Sequence, residues 1–216
     1  MSGWASPAFY HHHRIPFMGL FNGDEEMAAK QKTLESGFVY QIKVTLKGAS
    51  PPIWRRLEVS DQITLAKLHR ILQVAMGWTN SHLHQFKIGK NYYGEAYSEM
   101  GFKTFDEKRV KLFQLPLREK SKFIYEYDFG DSWEHEILIE KKLTATDGSK
   151  VPVCLKGKRA CPPDDIGGVL GYAEFLDAIS YPEHPDHEEM LEWVGDQFDP
   201  DAFDLEEVNR YLEKIK

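Results

Sequence analysis

The sequence predicts an α+β fold: an antiparallel or mixed β-sheet with packed helices, followed by a helical, acidic C-terminal third. Three features predict it. Tyr40, Ile42, Val44 and Leu46 alternate with polar residues, the period-two pattern of a half-buried strand. Leu65, Leu68, Ile71, Leu72, Ala75 and Met76 recur at helical spacing and make one apolar face. After Cys161 the periodicity turns helical and acidic residues dominate.

The elements follow in order. Phe38–Leu46 is the first strand, and Gly48–Pro52 turns the chain into a second over Ile53–Val59. Ser60 or Asp61, then Thr64, can cap a helix over Leu65–Met76, because their side-chain oxygens accept from its first free amides. Gly77 ends that helix as a C′ residue. Strand, strand, helix resembles the opening of a β-grasp fold. His82–Ile88 and Tyr92–Gly94 are expected to pair as a hairpin around Gly89–Asn91, with residues 95–108 as a polar loop. Val110–Leu115 is a short helix or strand.

Phe123–Tyr127 and Trp133–Leu143 are strands flanking an Asp128–Ser132 turn. Alternation in the second puts Trp133, His135, Ile137 and Ile139 on one face. Val151–Leu155 reads as a short edge strand. Helices are expected over Tyr172–Ile179, Pro185–Val194 and Leu205–Ile215, the last capped by Asp204 with Glu207 three residues on. One core should gather Trp54, the Leu65–Met76 face, Trp133 and Ile137.

Composition narrows the class. A chain of 216 residues suits one large domain, or a domain with a terminal extension. Residues 1–38, broken by Gly, Pro and the run His11–His13, read as an irregular arm with a short helix near 24–34. Residues 39–216 read as a single domain. No run of 18 apolar residues is present, so no membrane span or membrane partner is expected. The first residues lack a basic stretch followed by an apolar one, so no secretory signal is read. Two cysteines, Cys154 and Cys161, exclude a disulfide scaffold and point to the reducing cytoplasm.

Charge is divided. Residues 39–120 hold 14 Lys/Arg against 7 Asp/Glu, and residues 161–216 hold 3 against 16. Either the acidic helices neutralise a basic sheet, or the basic half is a surface for an anionic partner. For nucleic acid the candidates are Trp54, Arg55, Arg56, Lys87 and Lys90, since aromatic stacking and phosphate contacts need such a mixture.

Histidines carry the sharpest chemical signal. On a strand, His82, His84 and Phe86 share a face, and so do Asp131, Trp133 and His135. If those strands neighbour each other, His82, His84, His135 and Asp131 converge as ligands for a divalent metal such as zinc. The same convergence makes a candidate pocket of Asp128, Asp131, Trp133, His135 and Phe86. The bland alternative is that the imidazoles are hydrogen-bonded within the sheet and the two aspartates close a hairpin turn. Asp128-Phe129-Gly130 matches a kinase motif in letters only; the Gly-rich loop and catalytic loop of kinases are missing. Asp164-Asp165 next to Gly167-Gly168 would repel phosphate from the following helix start.

Three stretches resemble one family: Trp78…His82-Leu83-His84-Gln85-Phe86, Tyr125–Ile137, and Cys161-Pro162-Pro163-Asp164-Asp165-Ile166-Gly167-Gly168 to Tyr172. They are similar to the plasmid pRiA4b ORF-3-like proteins, over about Tyr40 to the C-terminus. Some of those carry a resolvase-like label from a mobile-element context. The resemblance implies an α+β domain and no established catalysis. A serine recombinase needs an activated serine, an arginine cluster and a DNA-binding helix-turn-helix, and nothing here gathers those parts. The expected function is therefore a cytosolic binding or interaction module for a protein or a small anionic ligand. The alternatives are a metal-dependent hydrolase using the His/Asp cluster, and a nucleic-acid accessory protein using the basic 39–120 surface.

Overall fold

A computed structural model describes residues 37–95, 104–146, 148–195 and 198–215. The expected arm, including its helix near 24–34, lies outside the described residues apart from its last two positions. Eight strands form one mixed sheet. They are β1 (Phe38–Leu46), β2 (Trp54–Ser60), β3 (His84–Ile88), β4 (Asn91–Gly94), β5 (Thr104–Asp106), β6 (Lys122–Tyr127), β7 (Trp133–Thr144) and β8 (Val153–Lys158). The order across the sheet is β5-β4-β3-β6-β7-β1-β2-β8. Every pairing is antiparallel except β4 with β5. The helices are α1 (Leu65–Met76), α2 (Gly168–Ser180), α3 (His187–Val194) and α4 (Leu205–Leu212). The fold is α+β.

Register explains the core. Ile42 faces Leu57 on one side and Ile139 on the other, and Val44 sits opposite Ile137. All are buried, with Leu65, Leu68, Ile71 and Leu72 of α1 completing the layer. Thr64 caps α1 by accepting from the Lys67 amide at 3.2 Å, and Gly77 ends it at φ 108°. The open edge of β8 is covered by α4. Asn209 accepts from the Cys154 amide at 2.7 Å and donates to its carbonyl at 2.9 Å, filling one ladder position.

Strand β2 corrects the core expectation. Leu57 and Val59 set its parity, so Arg55 points inward and Trp54 outward. Arg55 is 2% exposed. It donates to the carbonyls of Ala75, Met76, Trp54, Lys158 and Arg159 at 2.7–3.4 Å and stacks over Phe203. Four of these bonds meet carbonyls at the end of α1 and the end of β8, and the fifth meets Trp54 at the start of β2, a set that takes all five donors of one guanidinium. Burial of the guanidinium lowers its pKa.

The outer sheet face is mixed in charge rather than basic. Arg56 forks onto Glu140 at 2.6 and 2.8 Å, and Lys122 pairs with Glu136 at 2.9 Å. Lys43 and Arg56 flank the Trp54 ring. Lys87 lies over Tyr92, and Lys90 is exposed in the β3–β4 turn. Trp54 and Lys87 stand four strand spacings apart, about 19 Å, with the glutamates of β7 between them. Arg55 is thus removed from the set expected to meet nucleic acid, and the other four do not form one continuous patch.

Candidate functional site

The three sequence stretches meet at one end of the sheet. Trp78 follows α1 and packs on Tyr127 and Trp133, with ring centroids 5.2 and 5.4 Å away. The turn after β6 holds Asp128 at φ 56°, its Oδ1 accepting from the Gly130 amide at 2.9 Å. The loop before α2 is drawn onto that turn: Gly167 donates its amide to Asp131 Oδ2 at 3.1 Å. A Cβ on Gly168 would lie 2.5 Å from the Asp131 carbonyl oxygen, so the approach requires glycine.

This closure brings His82, Asp128 and Asp165 together. One ligand atom from each lies within 4.8 Å of the other two. His82 Nδ1 stands 3.7 Å from Asp128 Oδ2, and its Nε2 stands 3.5 Å from Asp165 Oδ1. These separations are too long for hydrogen bonds. The two contacts use opposite nitrogens of the ring, so a single ion can share only one of these nitrogens with the carboxylates, within the 4.8 Å span of the three groups. Asp164 is alongside, with Oδ2 accepting from the Thr79 hydroxyl at 2.7 Å. Its Oδ1 and His82 Nε2 are buried with no hydrogen-bond partner. Among the described residues no lysine or arginine pairs with Asp128, Asp164 or Asp165.

The expected histidine cluster resolves differently. Strand β3 begins at His84, so His82 lies in the preceding segment and the parity argument does not govern it. His84 and His135 do share the core face, on either side of Tyr125, at ring distances of 6.0 and 5.4 Å. His82 packs edge-on to Tyr127. Each imidazole then has its own surroundings. His135 is fully buried, neither nitrogen making a hydrogen bond, and burial pushes its pKa down to about 4. Trp133 and Phe86 are core rings. Asp131 spends its carboxylate on the Gly167 amide. Of the expected ligands, His82 alone enters the triad; of the expected pocket residues, Asp128 does.

Beside the triad is a polar network the sequence did not disclose. His84 Nε2 bonds Glu107 at 2.8 Å, and the His84 ring lies flat on His69 of α1. Tyr125 Oη and His69 Nδ1 are 2.8 Å apart, and His69 Nε2 is 2.6 Å from Asn80 Oδ1. Gln73 donates to the Tyr125 oxygen and accepts from the Asn80 amide. The bonds close a ring in one consistent sense: Tyr125 donates to Nδ1, and Nε2–H donates to Asn80. Burial first, then His84 and Arg70, push His69 down to about 3, so it is neutral. A cavity of about 300 Å³ opens here, lined by His69, Arg70, Asn80, His82, His84 and Glu107 among others.

Comparison with known proteins follows the same boundaries. A family model described as plasmid pRiA4b ORF-3-like protein matches residues 38–207. The uncharacterized protein y4hQ of Sinorhizobium fredii (strain NBRC 101917 / NGR234) is 40% identical over 179 residues, covering 82% of this chain and 92% of that protein. The crystal structure of MM3350, a protein of unknown function from Methanosarcina mazei Go1, is similar with a TM-score of 0.73 and 37% identity. The match covers 79% of this chain and 97% of that one.

Proposed function

We propose that this chain, which belongs to the plasmid pRiA4b ORF-3-like family, is a binding module built around a divalent metal ion of the zinc or manganese type, held by His82, Asp128 and Asp165. One observation carries this reading: His82, Asp128 and Asp165 each offer a ligand atom within 4.8 Å of the other two, and among the described residues no lysine or arginine pairs with the carboxylates. An imidazole with carboxylates suits zinc or manganese better than calcium or magnesium. Asp164, with one oxygen unpartnered, adds negative potential without being required as a ligand.

A second reading, a metal-dependent hydrolase, is favoured by one feature. Three protein ligands leave a coordination position open, and His82 also lines the adjoining cavity. Binding to a metal is common to both readings and is tested first. The domain is taken as residues 39–216 as the sequence suggested, with Phe38 added as the first residue of β1. Both cysteines are free thiols, which supports a cytoplasmic setting. No helix of the described residues is long and apolar enough to cross a membrane.

The experiment is a calorimetric titration of Zn²⁺ and Mn²⁺ into the full chain. His11–His13 is itself a ready metal binder, so these three are replaced by alanine throughout. Saturable binding is expected, weakened tenfold or more by Asp128→Asn and by Asp165→Asn. No saturable binding, or binding indifferent to both substitutions, refutes the reading.

A further inference from the structure

We infer that the outer corner of the sheet made by β1, β2 and β8 docks a single-stranded nucleic acid, with a base stacked on Trp54 and phosphates held by Lys43, Lys156 and Lys158. The inference is independent of the metal reading. Register assembles the patch. Residues directly opposite in an antiparallel pair share a face. Lys43 of β1 stands opposite Arg56 of β2, Arg56 opposite Lys156 of β8, and Trp54 opposite Lys158. Trp54 and Arg56 point outward because Arg55 and Leu57 point inward. The inward partner of Arg55 is Gly157, where a Cβ would meet the arginine chain at 2.7 Å, so the lysines on either side of it project outward. The row Lys43–Arg56–Lys156 spans about 10 Å, and Trp54 with Lys158 lies about 7 Å along the strands from it. Among the described residues, α1 packs on the opposite face.

The glutamates that make the outer face mixed lie at the margins of this corner. Glu140 accepts from Arg56 and Gln41, and Glu58 stands at the far end, opposite Gln41. Lys156 and Lys158 are exposed and in no ion pair among the described residues. Lysines alone would suit any polyanion; the indole among them selects one that carries bases. Lys43 and Arg56 lie over the Trp54 ring, 5.3 and 5.4 Å from its centroid. Arg56 is fixed by Glu140, so a base stacking on the indole takes the place of Lys43, whose ammonium then meets the phosphate beside that base. A duplex offers the ring no unstacked base, and an acidic peptide offers it none at all. Stacking and phosphate contacts are chemistry that DNA and RNA strands share.

The test follows the fluorescence anisotropy of a labelled oligothymidine of about ten nucleotides titrated with the full chain at low salt. EDTA is present, so the result does not depend on the triad. Saturable binding is expected, weakening as salt rises. Lys156→Gln combined with Lys158→Gln should weaken it about tenfold or more and lower the salt slope by about 1.4, the worth of two phosphate contacts to a single strand. Trp54→Leu should weaken it about tenfold with the salt slope unchanged. Lys87→Gln combined with Lys90→Gln, beyond the β7 glutamates, should stay within about twofold of the parent. The two exposed lysines keep the test decisive should Trp54→Leu fail to fold. No saturable binding overturns the inference, as does a Lys156/Lys158 variant within about twofold of the parent. Equal loss in the Lys87/Lys90 variant overturns the location. A folded Trp54→Leu of unchanged affinity, or equal binding of a polyglutamate probe, overturns nucleic acid as the occupant.

Discussion

The imidazole of His69 on α1 lies flat on that of His84 on β3, with ring centroids 3.4 Å apart and planes 4° from parallel. This stack joins the helix to the sheet exactly where the chain leaves α1 for the segment carrying His82. His69 and Gln73 hold Asn80, and the Tyr127 hydroxyl accepts from the Ser81 amide at 3.1 Å. The ring of buried polar groups therefore fixes the segment that leads to His82 of the triad.

His69→Ala removes the stack, takes one hydrogen-bond partner each from the Tyr125 hydroxyl and the Asn80 side-chain oxygen, and opens a cavity. It should cost roughly 2–4 kcal/mol of stability. Urea unfolding of the variant against the parent measures this. A change below about 0.5 kcal/mol, usual for surface sites, would mean the ring is not formed in solution.

Stability should fall in acid through the buried histidines. Folded His69 and His135 are held neutral, at about 3 and about 4, whereas an unfolded histidine titrates near 6.5. The folded values are depressed, so the unfolded chain binds more protons in this range. The contribution is complete above about pH 6.5 and is lost as pH falls toward 4 and then 3, at up to about 1.4 kcal/mol per pH unit for each group. His135→Leu removes one of the two, and its stability should decline less steeply between pH 6.5 and 4.5. Equal slopes in parent and variant contradict the buried neutral state.

Arg55 is the interior clamp between α1 and β8. Arg55→Met strands five carbonyl groups and should cost roughly 3–5 kcal/mol. Arg55→Lys has three donors on one nitrogen in place of the planar fork and should restore only part. Denaturant midpoints decide; a methionine variant within about 1 kcal/mol of the parent would show that the guanidinium is not buried as described.

Gly168→Ala places a methyl against the Asp131 carbonyl and should push the 164–168 loop away from the β6–β7 turn. Metal affinity is expected to drop about tenfold or more, a cost of at least about 1.4 kcal/mol, with a smaller effect on global stability. Unchanged affinity would mean that the loop contact does not hold Asp165 in place.

Much of the fold was legible because it follows from periodicity. The alternation in β1 and β7, the α1 stripe and the caps at Thr64 and Asp204 all correspond to observed elements. Side-chain hydrophobicity misled at β2: tryptophan seemed the core residue, but Leu57 and Val59 fix the parity and send Arg55 inward. That signal was present in the sequence. So was His69, a polar residue on the apolar face of α1. Glu107 could not be found, because it follows a three-residue strand within a stretch that reads as a polar loop. Asp165 could not be found either. It reaches His82 only through the loop closure on Asp131, a tertiary event that no local pattern records. His82 was misassigned because strand parity was extended two residues beyond the start of β3.

The most direct measurement is anomalous diffraction from crystals of the full chain, with His11–His13 changed to alanine, grown with Mn²⁺ or Zn²⁺. The account predicts one strong peak bounded by His82, Asp128 and Asp165, with ligand atoms at roughly 2.0–2.2 Å. A peak elsewhere, or none at this triad in crystals grown with saturating metal, would contradict it.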